Sequence, residues 1–248
     1  MTETVGGAAL RDPAWVTARI TEMGRSWGTG SCRAAGTLWW CMVASALVQP
    51  VVRAYAAQSA VPTVELDRIT CPVRADGGVE TVHFPADPPA AALASGAAQA
   101  GDAALALTGT APTGTGPVER AQSPHAANGR ASDTRAAAHA LRASLASVIA
   151  TVAQASGAGI PALWAVVADA IGNRAIDAGA AAIAPALAHD VGGKLPTPRF
   201  QEVAGRTFVK RISCCLVFEA PGCAMCTSCP KRPAAEREQL LTALTTGN

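Results

Sequence analysis

Apolar residues early in the chain recur at helical spacing: Val16, Ile20, Met23 and Trp27 stand three or four positions apart, so a helix would place them on one face. Asp12-Pro13 in front supplies an N-cap acceptor and a first-turn proline. Gly24 is the expected stop. A second helix is predicted from near Ser31 to Val48, with a further turn or two through Tyr55. Val64–Arg74 and Val79–Phe84 are read as a β-hairpin around Asp76-Gly77-Gly78. From Pro88 to Thr134 the chain is rich in alanine, glycine, proline and serine, and Thr108–Ser132 has almost no large apolar residue. That composition predicts a disordered insertion. Helices are expected again over Arg135–Ala153, Pro161–Ala175 and Gly179–Ala188. Gly205–Phe218 alternates like a strand, and Pro233-Ala234-Ala235-Glu236 opens a last helix.

These elements define an α+β fold, mainly helical, with a β-hairpin and a C-terminal cysteine-rich segment. The expected organisation is a helical part with the hairpin over 1–107, an insertion over 108–132 and a second helical part over 133–248, together one domain. No charge occurs between Arg142 and Asp169, a length that could span a bilayer. Gln154, Ser156, Gly157, Gly159 and Pro161 interrupt it, so a buried helix, a loop and a second helix are expected instead. The apolar run Leu38–Leu47 is too short to span. No transmembrane segment is expected, which leaves room for peripheral membrane association. The first residues lack a basic segment followed by an apolar core, so no signal peptide is expected.

Charge narrows the function. Lys+Arg is 20 against Asp+Glu 18, a balance that argues against a nucleic-acid partner with its strong basic footprint. No phosphate loop, Rossmann glycine fingerprint or serine–histidine–aspartate arrangement stands out. Aromatics are only 4%. The five tryptophans are expected to anchor an alanine-rich core, with Trp39-Trp40 inside an apolar helix.

The chemistry-bearing feature is the cysteines. Five of eight fall within sixteen residues: Cys214, Cys215, Cys223, Cys226 and Cys229; Cys32, Cys41 and Cys71 are scattered upstream. Such density points to a metal site, and reduced thiols fit the cytosol. The spacing C-C-x10-C-x2-C suits a lone zinc ion poorly, because zinc is usually gripped by two short-loop pairs. Adjacent side chains of an extended strand point to opposite faces. Both can serve one site only where the backbone turns or the site is wide, and a [2Fe–2S] rhomb is wide and takes four thiolates. From chemistry alone, iron–sulfur leads, with zinc and disulfides or free thiols as alternatives.

The same residues carry a resemblance. Phe208 to Leu216 (FVKRISCCL) and Cys226-Thr227-Ser228-Cys229-Pro230 resemble the C-terminal signature of the FhuF-type ferric-siderophore reductases. Arg25-Ser26-Trp27-Gly28-Thr29, Leu38-Trp39-Trp40 and Leu163-Trp164 are weaker echoes, similar to positions in the actinobacterial branch. The resemblance implies that Cys214, Cys215, Cys226 and Cys229 hold a [2Fe–2S] cluster as the metal-binding and redox centre. It implies a cytoplasmic oxidoreductase that reduces a ferric siderophore, of hydroxamate type, with electrons from a separate donor protein. A pure electron carrier and a zinc-stapled binding protein are the rivals. Where the family commonly has a glycine-rich, tyrosine-bearing stretch, this chain has Glu219 to Met225 with an extra thiol, Cys223; it could replace Cys226 as a ligand or stand by as a redox partner, and a spare half-buried thiol is its simplest role.

Arg206, Lys210 and Arg211 precede the cysteines and Lys231 and Arg232 follow them. Cations there would favour a reduced cluster and steer an acidic donor, or form a solvated face. His83, His125, His139 and His189 show no ligand spacing.

Overall fold

The computed structural model describes residues 3–85 and 124–246. Six α-helices and two short antiparallel ribbons occur among the described residues: α1 (Pro13–Trp27), α2 (Cys32–Ala56), α3 (Pro124–Ser156), α4 (Ile160–Asp177), α5 (Ala184–Val191) and α6 (Ala234–Thr246), with β1 (Glu3–Gly6) paired to β2 (Thr70–Val73) and β3 (Phe200–Val203) paired to β4 (Arg206–Val209). The mainly helical α+β expectation holds.

Helix α1 starts as its sequence dictates. Asp12 Oδ1 accepts from the Trp15 N–H at 2.9 Å, and Pro13 follows the cap. It does not stop at Gly24. It runs a further turn to Gly28, whose φ of 66° makes it the left-handed C-cap. Trp27 thereby ends up 39% exposed instead of in the core. Helix α2 is capped by Ser31, whose Oγ accepts from the Ala34 N–H at 3.2 Å. It continues through Pro50 to Ala56, as the extra turns beyond Val48 anticipated.

α2 is the spine of the molecule. It packs on α1, α3 and α4, and its buried residues lie all round it, the signature of a central core helix. By length and composition α2 and Ser132–Ser156 could each cross a bilayer; 72% and 50% of their apolar windows are buried inside the protein. Trp39 and Trp40 are fully buried and both indoles find acceptors. Trp39 Nε1 donates to the Gly77 carbonyl and Trp40 Nε1 to the Leu163 carbonyl, each at 2.9 Å. Gly36 lets α2 and α3 touch, since a β-carbon there would sit 2.3 Å from Ser156 Cβ.

Four expectations need correction. The hairpin of Val64–Arg74 and Val79–Phe84 survives only as two isolated bridges, Thr70↔His83 and Val73↔Val79. The ladder of β2 runs instead to β1, with Val5 opposite Cys71. The third helix begins at Pro124, eleven residues before Arg135, so 124–132 is helical; residues 108–123 of the expected insertion lie outside the described residues. Gly179–Ala188 becomes a short 3-10 turn (Ala181–Ile183) leading into α5, and Gly205–Phe218 is a strand only over β4.

Cys71 sits fully buried in β2. Burial pushes its thiol up to about 11 from an ordinary value of 9.0, because the thiolate is poorly solvated there. A raised value means that the neutral thiol's contribution is complete below pH 9 and lost as the pH climbs towards 11. At about 1.4 kcal/mol per unit the loss is roughly 2–3 kcal/mol. Denaturation curves of wild type and Cys71→Ala should therefore converge by about that amount between pH 8 and 11. A gap that stays constant over this range refutes the assignment.

Candidate metal centre

β4 delivers the chain to the cysteines along α4. Val209 packs on Gly172 of α4, where a β-carbon would be 3.0 Å from Val209 Cγ2. The Lys210 N–H then bonds the Arg199 carbonyl at 2.8 Å. Beyond it the segment has no ladder partner, and a buried carboxylate takes over. Asp169 of α4 is 3% exposed. Its Oδ1 accepts from the Ile212 N–H at 3.1 Å; its Oδ2 accepts from the Ser213 N–H at 2.9 Å and the Ser213 hydroxyl at 2.6 Å. Arg211 Nε lies 3.5 Å from the same Oδ2. One side chain thus fixes three consecutive residues ahead of Cys214.

After Cys215 the backbone turns sharply. Leu216 has a φ of 61°, rare for a branched residue, and its side chain is buried. The turn sets the Leu216 and Val217 N–H groups on the side of the Cys214 and Cys215 sulfurs, where they favour the thiolates. It is the turn that adjacent cysteines require. On the other side, the Cys229 N–H bonds the Cys226 carbonyl at 3.1 Å. Arg232 and Arg237 clamp this loop from its C-terminal flank. Arg232 donates to the carbonyls of Cys226 (3.0 Å) and Met225 (2.5 Å) and pairs with Glu236, while Arg237 donates to the Cys229 carbonyl at 3.4 Å.

The thiols come together as two pairs. Cys214 Sγ and Cys229 Sγ are 3.8 Å apart. Cys215 lies close enough to Cys226 for the two thiols to titrate together, and Arg211 Nη1 donates to Cys226 Sγ at 3.3 Å. The Cys226 thiol, the Val217 N–H and Arg211 hold Cys215 down at about 5 against the opposing effect of burial; Cys226 is raised in consequence, since the pair shares one proton. Cys214 is raised, first by burial. Among the described residues no group of three or more His, Cys, Asp or Glu side chains closes around a single metal ion.

This donor set fits a two-iron cluster. It has two thiol pairs, backbone N–H groups that favour the thiolates, and a buried guanidinium to offset the charge of four thiolates. Arg211 Nε is also a buried donor with no hydrogen-bond partner among the described groups. Cys223 stays half-buried beside the loop, and its thiol belongs to neither pair. A fifth thiol does lie near: Cys41 of α2, pushed up to about 12 by burial and then by Cys215. Of the four cations nearest the cysteines in sequence, only Lys210 and Lys231 face solvent; Arg211 and Arg232 side chains are 16% and 14% exposed and point inward.

Asp169, Arg237 and Cys41 carry no cysteine-motif signal. For Asp169 a hint existed, since it is a lone acid flanked by Val166, Val167, Ala170 and Ile171 in an apolar helix, where a carboxylate needs partners. A cavity of about 270 Å³ lies at the α1–α2 turn, lined by Thr17, Thr21, Arg25, Thr29, Ser31 and Cys32 among others. Residues next to its lining in the chain touch the cysteine segment. Arg33 pairs with Glu219 at 3.5 Å, and a β-carbon on Gly28 would sit 3.6 Å from Pro221.

Fold and site together define an iron–sulfur protein whose C-terminal segment binds a [2Fe–2S] cluster. The family model described as the FhuF 2Fe-2S C-terminal domain matches residues 211–231, which supports a FhuF-type protein. Searches of the curated proteins and of the solved structures find no match.

Proposed function

We propose that the protein is a cytoplasmic ferric-siderophore reductase in which Cys214, Cys215, Cys226 and Cys229 ligate one [2Fe–2S] cluster. The observation that carries the ligand assignment is the pairing of these four thiols, Cys214 with Cys229 and Cys215 with Cys226, inside the matched domain. The substrate class rests on the family. When bound, the cluster supplies a one-electron couple. A ferric siderophore holds Fe(III) through hard oxygen donors, and Fe(II), softer and less charged, is held far more weakly. Delivery of one electron converts a tight chelate into a labile one without breaking a covalent bond. The chain's own work is to hold the thiolates, exclude water from the Cys229 side and dock the chelate. The α1–α2 cavity is the proposed docking place, with Arg25 in its lining as the cation for a polar chelate. Electrons come from a separate donor protein, with the exposed Lys210 and Lys231 as a basic landing for it.

The test is anaerobic. Chemically reduced protein is mixed with a ferric hydroxamate and a ferrous trap. Cluster reoxidation should coincide with ferrous-complex formation, and Cys229→Ser should abolish both. With an anionic chelate, Arg25→Glu should raise the half-saturating concentration several-fold and leave the cluster spectrum unchanged. A cluster that reduces normally, but that no ferric chelate reoxidises faster than buffer does, ends the reductase reading and favours the electron carrier.

A further inference from the structure

We infer that Asp169 on α4 is a positioning residue that aims Arg211 at the Cys226 sulfur, so that a carboxylate far from the cysteine motif in sequence sets the reduction potential of the centre. The inference rests on the four-cysteine ligation proposed above and is independent of the substrate.

The geometry is a relay. Asp169 Oδ2 lies 3.5 Å from Arg211 Nε, and the other end of the same guanidinium donates to Cys226 Sγ at 3.3 Å and reaches Ser213 Oγ at 3.5 Å. Both partners are withdrawn from solvent, where a charge–sulfur hydrogen bond is weakly screened. The carboxylate is itself immobilised by the Ile212 and Ser213 N–H groups and the Ser213 hydroxyl. The guanidinium therefore cannot swing away without leaving a buried acid short of its cation. An arginine fork suits this task because it spans two acceptors in a fixed plane, which an ammonium cannot do. A cation hydrogen-bonded to a ligating sulfur stabilises the more negative, reduced form and raises the potential.

Two roles for Asp169 give opposite signs. As a bare negative charge near the cluster it would lower the potential, and its removal would raise it. As the anchor of Arg211 its removal lowers the potential, because the cation is released from the sulfur. Ser213 and Ile212 give the carboxylate its place; Arg211 gives it its effect.

The experiment uses cluster-loaded full-length protein, with iron and acid-labile sulfide of the wild type measured first; absence of both would fault the ligation reading and not this one. Midpoint potentials are then read by spectroscopic redox titration, together with the electron paramagnetic resonance of the reduced cluster. Arg211→Gln should shift the potential to a more negative value. Asp169→Asn should shift it in the same direction and alter the resonance. Asp169→Asn added to Arg211→Gln should cause no further fall, since the two act in series. An unchanged or more positive potential in Asp169→Asn overturns the inference. If that variant yields no loaded protein, Arg211→Lys decides: a value between wild type and Arg211→Gln supports the relay, and a wild-type value overturns it.

Discussion

Serine at any one of Cys214, Cys215, Cys226 or Cys229 should cost the protein its cluster, whereas Cys223→Ser should leave iron and acid-labile sulfide at the wild-type level. The four sulfurs stand as two pairs, 214 with 229 and 215 with 226, and a [2Fe–2S] centre takes two thiolates per iron. Removing one leaves one iron with a single protein ligand. Cys223 reaches the loop through its backbone, its N–H bonding the Ala220 carbonyl at 3.1 Å. The measurement is iron and sulfide per chain in single variants made anaerobically, with the visible spectrum as a second readout. Cluster loss in Cys223→Ser with retention in Cys226→Ser would reverse the assignment. Stoichiometric zinc without sulfide in native material would end the iron–sulfur reading altogether. Ligation and the thiol pattern are also pH-linked, since each ligand binds as a thiolate.

The same residues show what was legible in the chain and what was not. α1 and α2 could be read because caps and periodicity agree: Asp12-Pro13 and Ser31 start helices whose apolar positions recur at helical spacing. Gly24 misled, since glycine inside a helix is a tolerable local cost while Gly28 supplies the left-handed conformation that a C-cap needs. β1 was invisible. Four residues carry too little alternation, and the partner of Val5 is Cys71, far along the chain. Gly205–Phe218 alternates enough to suggest a strand, yet pairing stops at Val209 because Asp169 replaces a neighbouring strand as the acceptor for the backbone. The ligand candidates were legible because spacing encodes which thiols a short loop can unite. The supports were not: Asp169, Arg232 and Arg237 act on carbonyls and N–H groups, and a side chain bonding another residue's backbone leaves no pattern at fixed spacing.

That division leads to a stability effect centred far from the cysteines. Trp40 is fully buried on α2, and its indole donates to the Leu163 carbonyl near the start of α4, at 2.9 Å. Six residues further along α4 stands Asp169, the anchor of the cysteine segment. Trp40→Ala removes a large apolar volume and leaves a cavity, for about 3–5 kcal/mol, and it takes the indole donor away from the Leu163 carbonyl. Against a total stability of about 5–15 kcal/mol for a domain of this kind, that is a large fraction. Trp40→Phe keeps most of the volume and loses the hydrogen bond, so its cost should be nearer 1 kcal/mol. Because α4 is packed on α2 and holds Ser213 at the same time, cluster release and helix loss should move together. In urea, the midpoints followed by visible absorbance and by far-ultraviolet circular dichroism should both fall in Trp40→Ala, by similar amounts. A drop in the helical midpoint with the cluster midpoint unmoved would show that the cysteine segment holds its cluster without α4, and Asp169 would lose its place as the anchor.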